Sequence, residues 1–450
     1  MREGQRYTSD YTTTPQSRPS WLALPCHLTF LPHLTLTHPV GHPLSYSLAF
    51  SPILPSHSLS KSSSPRAKFL PSFSLVLLSG SCLLTVLAPI AYQPIISSIL
   101  FASACRTFGL NGHAAMASRW WLYVQAWFWR VLMRLGMVFH KLPHPRPPSP
   151  SFSRSFPSGG SKVVLEFYCP PGYHENRKEG RRLPVLMNFH GGGFTLGAPS
   201  DDSRWAQSVL TEVGAVVVSV GYRRAPEHPF PAAVDDGVAA LQYLATHASE
   251  LGLDVSRIAL SGFSAGGNLA VTVPLRLRDR LAQASQEWLS RADSTHQLLA
   301  VAASDLQIVA IFSWYPILDF NESRAHRRAE SIMPNKTLPE FFTSLFDNSY
   351  VPNIEDRRSP YASPVYASDN SLREGLPNDI YFYMCEWDML LNEGQLFCRR
   401  LQDLGKHVRA MMVEKARHAW DKSANPFRDT KAVNVLYADA CADMKNIFGM

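Results

Sequence analysis

Acidic residues are nearly missing from the first third of this 450-residue chain: residues 1–160 hold 13 Lys and Arg, against Glu3 and Asp10 alone. That segment carries a net +11, which leaves −4 for the remainder within the total of +7. The basic balance belongs to the front of the chain, so a nucleic-acid partner, which needs basic residues gathered on a folded face, loses its support. Cysteine is sparse too, with seven residues at 26, 82, 105, 169, 385, 398 and 441. An odd, scattered set argues against a disulfide framework and leans away from secretion. No two cysteines lie close together and no His-Glu-x-x-His occurs, so no metal site is expected. The glycine run at 191–193 is not a Gly-x-Gly-x-x-Gly after the first strand of a dinucleotide fold, and no cofactor is expected.

Charge vanishes altogether between Phe69 and Cys105, and within that window Leu75 to Leu100 is apolar and long enough to span a bilayer. Pro89 and Pro94 interrupt it, and Ser79, Ser81, Gln93, Ser97 and Ser98 dilute it, so a membrane helix and an uninserted apolar stretch both stand as readings. The run begins too late for an ordinary signal peptide. Lys61, Arg66 and Lys68 precede it and Arg106, Arg119 and Arg130 follow it, leaving orientation open. Residues 1–70, rich in Pro, Ser, Leu and His without a period, read as low-complexity extension, and a third reading takes Met116 as the true start.

From Ser118 to Lys141 the period becomes helical. Arg119, Tyr123, Arg130, Arg134 and Lys141 form a polar, basic stripe, while Trp121, Val124, Trp127, Phe128, Val131, Leu132, Leu135 and Val138 cover most of the rest. Such a helix calls for an apolar surface. Packing of that apolar side on the folded body is the plainest expectation; a cap over a site and a helix on a membrane surface are the alternatives. Pro143-His144-Pro145-Arg146-Pro147-Pro148 then reads as an extended linker.

What the chain does have is a serine in Gly262-Phe263-Ser264-Ala265-Gly266, and, upstream, His190-Gly191-Gly192-Gly193. Gly-x-Ser-x-Gly makes a sharp turn between a strand and a helix that lifts the serine oxygen above a sheet. Arg257–Leu260 supplies a strand-like run before it and Gly267–Val271 a helical start after it. The glycine run follows the strand-like Leu183–Phe189, so its amides emerge at a strand's C-terminal end, where open α/β sheets bind ligands. Nucleophile and oxyanion cradle in this order point to acyl transfer.

These motifs, with Gly221-Tyr222-Arg223-Arg224-Ala225-Pro226-Glu227-His228-Pro229, resemble the hormone-sensitive-lipase-like branch of the α/β-hydrolases from about Val163 onward. The resemblance implies a mostly parallel sheet with helices on both faces, a helical cap, and a Ser, Asp, His order along the chain. Cys385-Glu386-Trp387-Asp388 is similar to the family's acid loop and Arg417-His418-Ala419-Trp420 to its histidine loop. The roles implied are nucleophile for Ser264, base for His418 and orienting acid for Asp388, with Glu386 and Glu393 as rival acids. Amides of Gly191, Gly192 and Ala265 are the implied oxyanion donors. Two departures stand out: Phe263 replaces the aspartate usual before the serine, and Ala419-Trp420 replaces the usual Gly-Phe.

The expected organisation is an extension over 1–115, a helix and linker over 116–162, and an α/β-hydrolase domain over 163–450. Leu275–Asp305 reads as a second candidate cap element, a helical, charged insertion after the nucleophile helix, which together with Asn321–Asp356, without clean period, shapes the acyl or alcohol pocket. The expected function is hydrolysis of small-molecule carboxylic esters. Two rivals remain: deacetylation or amide cleavage of lipophilic acetyl compounds, and a non-catalytic small-ligand receptor on the same fold, as in gibberellin receptors, which lack the histidine. Cytoplasmic and membrane-anchored locations both remain open.

Overall fold

A computed structural model of the chain describes residues 111–291, 305–427 and 429–450, all within the unit Leu83–Met450. The low-complexity extension and the Leu75–Leu100 run lie outside the described residues. Eight strands make one sheet: β1 (Phe152–Ser158), β2 (Ser161–Tyr168), β3 (Leu183–Phe189), β4 (Val216–Gly221), β5 (Leu253–Phe263), β6 (Ile308–Trp314), β7 (Asp379–Trp387) and β8 (His407–Arg417). Their order is β1-β2-β4-β3-β5-β6-β7-β8; the β1–β2 and β2–β4 pairs are antiparallel and the rest parallel. The longer helices are α1 (Asn111–Lys141), α2 (Ser203–Glu212), α3 (Ala232–Thr246), α4 (Ala265–Arg291), α5 (Glu340–Tyr350), α6 (Leu391–Asp403) and α7 (Lys431–Phe448).

The central strands are continuous apolar runs because helices cover both faces. Val185, Met187 and Phe189 of β3 join the core shared with α3, α4 and α6, whereas Leu186 joins the core shared with α2 and α7. This is the mostly parallel, two-sided architecture expected. Every parallel strand ends on the same edge, which collects the turns after β3, β5, β7 and β8.

Three local features differ from the expectation. Residues 152–158, where the sequence reads as the end of a linker, form β1; it pairs only with β2, and an edge strand tolerates Pro157. The domain boundary drawn at 163 accordingly falls inside β2. Leu275 onward is no separate insertion but the continuation of the helix that follows Ser264, running through Pro274 to Arg291, with 292–304 outside the described residues. The third difference concerns α1, which sits the other way round from the sequence expectation. Tyr123, Arg130 and Lys141 of its polar stripe turn to the body while Arg119 and Arg134 are exposed: Arg130 donates to the carbonyls of Thr195 and Ala225 at 2.8 Å and forks onto Glu227 at 2.7 Å. Lys141 donates to Ser200 Oγ, while Trp121, Trp127, Phe128, Val131, Leu132, Leu135 and Val138 are exposed. A buried Arg204 then fastens the chain after α1 through the carbonyls of His140, Pro143 and Pro145.

The tightest contact in this arrangement lies where α4 crosses β3: a Cβ added at Gly266 would stand 1.9 Å from the Phe189 carbonyl oxygen. Neither backbone can yield without moving strand or helix. Gly266→Ala is expected to cost about 3 kcal/mol through overpacking and to lower the melting temperature by several degrees. A melting curve unchanged by this substitution would contradict the crossing.

Candidate active site

The pentad's glycines are demanded by the turn they build. Ser264 itself sits in the left-handed region at φ 55°, a conformation that costs an ordinary residue about 1–3 kcal/mol. Its N–H donates to the Trp314 carbonyl at 2.8 Å, locking the turn to the end of β6, and its carbonyl accepts from Asn268 at the start of α4. The side chain is thereby lifted off the sheet edge, as Gly-x-Ser-x-Gly predicts.

Two loops reach it. After β8, His418 brings Nε2 to 2.8 Å from Ser264 Oγ, and after β7, Asp388 brings Oδ2 to 2.6 Å from His418 Nδ1. An ionised carboxylate only accepts, so Nδ1–H donates to Asp388 and the Nε2 lone pair is left to accept the serine proton. The side chains of His418 and Asp388 are 5% and 1% exposed, which keeps water from competing for either bond. The other oxygen of Asp388 accepts the Leu390 N–H at 3.2 Å, and the Tyr315 ring meets the imidazole edge-on at 5.0 Å. The rival acids are engaged elsewhere: Glu386 accepts the Lys415 N–H at 2.6 Å, and Glu393 accepts from Leu318 N–H and pairs with Arg327. Burial pushes Glu393 up to about 7 against the pull of Arg327.

The glycine loop lies against the same serine. A Cβ on Gly191 would stand 3.6 Å from Ser264 Cβ, and Gly192 takes φ 111°, open to glycine alone. Ala265, named with Gly191 and Gly192 as an expected oxyanion donor, follows Ser264 directly and opens α4. His190 serves the loop and not the proton: it is buried, stacks on Tyr222 at 4.2 Å and bonds through Nδ1 to the Gly191 carbonyl. Burial drives its pKa down to about 3, leaving it neutral.

Sequence reasoning missed the support beneath the serine. Phe263, where an aspartate is usual, stacks on Trp314, and Lys422 Nζ sits 3.7 Å from its ring centroid. Lys422 follows His418 by four residues, so this cation–π contact joins the nucleophile turn to the histidine loop. The ammonium also meets Asp202 at 2.8 Å and Asp421 at 3.0 Å. Burial opposes its charge, yet these two carboxylates hold its pKa above the usual lysine value. Asp421 accepts from Tyr315 and Tyr437, and Asp202 accepts from Asn188, which accepts from Ser261. The one signal in the sequence was the departure at Phe263 itself. The second departure, Ala419, holds φ 57° where glycine is usual, so the histidine loop carries strain that these contacts offset. Over the glycine loop lie two further residues that sequence reasoning missed. Phe346 of α5 would clash with any Cβ on Gly193, and Trp129 of α1 stacks on Phe341 and packs on Phe342.

Comparison with known proteins identifies the fold family. A family model described as alpha/beta hydrolase fold matches residues 186–422. Carboxylesterase NlhH of Mycobacterium tuberculosis is 30% identical over 252 residues, 56% of this chain and 68% of that protein. An AB hydrolase superfamily protein of Schizosaccharomyces pombe is 30% identical over 236 residues, 52% of this chain and 62% of its own length. Among solved structures, a thermostable esterase of Pseudomonas putida superposes with a TM-score of 0.58 at 25% identity, covering 71% of this chain and 89% of that one.

Lys422→Met tests the support directly, because it strands two buried carboxylates. The expected cost is about 3–5 kcal/mol, read as a fall in the denaturant midpoint. Phe263→Leu removes the ring alone and should cost only about 1–2 kcal/mol from the lost cation–π contact. Equal losses in the two variants would show that the carboxylates do not depend on Lys422.

Proposed function

The chain belongs to the hormone-sensitive-lipase-like branch of the α/β-hydrolases, and we propose that it hydrolyses carboxylic esters through an acyl-enzyme on Ser264. The observation that carries the reading is the unbroken relay from Asp388 through His418 to Ser264, at 2.6 Å and 2.8 Å. In this reading Ser264 Oγ attacks the ester carbonyl carbon while His418 Nε2 takes its proton. The tetrahedral oxyanion faces the amides of Gly191, Gly192 and Ala265, each donor contributing roughly 3–4 kcal/mol in comparable enzymes. Collapse breaks the ester C–O bond, and His418 returns the proton to the leaving alkoxide. Water, deprotonated by the same imidazole, then releases the acid and regenerates Ser264.

The esterase and carboxylesterase relatives support ester substrates, and the apolar lid of Phe342 and Phe346 beside Gly193 supports lipophilic ones. Hydrolysis of p-nitrophenyl esters of graded acyl length is the test, and Ser264→Ala is expected to lower kcat by about 10⁴-fold or more. No hydrolysis by the wild type at any acyl length would favour the receptor reading, and cleavage of aryl acetamides in preference to esters would favour amide cleavage.

Asp388→Asn is expected to lower kcat by about 10⁴-fold with the fold intact, because the imidazole loses the acceptor that sets its tautomer. Glu386→Gln should leave kcat within about threefold of the wild type, since it bonds only the β8 backbone and acts on no reacting proton. The reverse pattern would reassign the acid.

A further inference from the structure

The outward side of α1 is the largest feature that ester hydrolysis leaves unexplained. Nine large apolar side chains of this helix are exposed, with Trp120 at 64%, Trp127 at 66%, Val138 at 58% and Leu135 at 56%. A folded protein in water rarely leaves an apolar patch of this extent uncovered unless it meets a partner. Rotation of the helix cannot hide the patch, because Arg130, Tyr123 and Lys141 fasten the opposite side to Thr195, Ala225, Pro226, Glu227 and Ser200. Burial works to raise the Glu227 pKa, but the Arg130 fork holds it below the ordinary value, so the clasp is charged at neutral pH.

Three observations say what covers this face. The sequence ahead of α1 carries no charge from Phe69 to Cys105 and includes the bilayer-length run Leu75–Leu100. The helix itself contains no Asp or Glu, so nothing on it repels an anionic headgroup, and its tryptophans suit the boundary between headgroups and acyl chains. Among the described residues no helix is long and apolar enough to cross a membrane, so α1 fits the surface of one and not its interior. We propose that the outward face of α1 docks on a phospholipid bilayer and lies in its interface.

The position of the helix gives the docking a consequence. Trp129 packs against Phe341 and Phe342 of α5, and Phe346 of the same helix lies over Gly193, two residues along the loop from the Gly191 that faces Ser264. Phe341 is itself 46% exposed and extends the apolar face toward the site. A docked molecule holds the mouth of the candidate site against the interface, where lipophilic esters concentrate. This consequence rests on the ester-hydrolase reading; the docking itself does not.

Fluorescence quenching separates the two. The full chain is mixed with vesicles of phosphatidylcholine and phosphatidylserine in which the phosphatidylcholine carries dibrominated acyl chains, which quench tryptophan only on contact. The wild type should float with the vesicles and be quenched. Trp120→Phe with Trp127→Phe should remove a large part of that quenching, and Trp127→Glu with Leu135→Glu and Val138→Glu should abolish it for this helix. Both variants should keep the wild-type circular dichroism spectrum and the wild-type rate on a soluble short-chain ester, since every substituted position is exposed and outside the site. Flotation alone does not decide, because the Leu75–Leu100 run is present in every variant. The proposal is overturned if the wild type stays off the vesicles, or if it floats with quenching unchanged by Trp120→Phe and Trp127→Phe. It is overturned equally if sedimentation shows a dimer that the three glutamates dissociate, which would make a second copy the occupant. None of these readings uses hydrolysis, so a failure of the esterase reading leaves this test intact.

Discussion

A serine backbone held in the left-handed region is the constraint around which the candidate site is arranged. At φ 55° Ser264 is costly, and it persists because its surroundings leave no alternative. Gly262 and Gly266 sit too close to their neighbours for any Cβ, the Trp314 carbonyl holds the serine N–H, and Phe263 is fixed between Trp314 and Lys422. The same buried ammonium binds Asp421 in the histidine loop and Asp202 ahead of α2. Strain at the nucleophile and the position of the imidazole are therefore stabilised by one group of contacts on the α2–α7 side of the sheet. An aspartate in place of Phe263 would add a fourth carboxyl to a region that already holds Asp201, Asp202 and Asp421 around one lysine. Burial and Asp202 already push Asp201 up to about 6.

The parts legible in the sequence were those set by local geometry. Glycines at fixed spacing announce a tight turn whatever lies around them, and the runs 183–189, 379–385 and 408–413 fall within the strands found. Chain order brought Asp388 and His418 to the serine. What the sequence left hidden depends on contacts between distant segments. Lys422 and Asp202 are 220 positions apart, and no period links them to Phe263. β1 was hidden because Ser153, Arg154 and Ser155 are polar and exposed, with Pro157 nearby; its strand character comes only from pairing with β2. The orientation of α1 was misread for a related reason. Apolar periodicity says that a helix has two unlike sides, and the expectation that the apolar one faces the core fails when an arginine finds three acceptors on the body.

That inversion connects the helix to the chemistry beside it. The clasp on Arg130 reaches the segment just after the glycine loop, through Thr195, and the segment after β4, through Ala225 and Glu227. On its flank Trp129 packs on Phe341 and Phe342 of α5, and Phe342 stacks on the Phe346 that overhangs Gly193. One helix thus bonds the segment just after the glycine loop, packs on α5, and presents an apolar face outward.

The most direct measurement of the central claim is the site of covalent modification. The folded wild-type chain is treated with a fluorophosphonate ester, digested and mapped by mass spectrometry. A nucleophile activated by His418 should carry the phosphonyl adduct on Ser264 alone, in the peptide spanning the turn between β5 and α4. An adduct on another residue, or an unmodified Ser264 peptide from protein shown to be folded, would contradict the account.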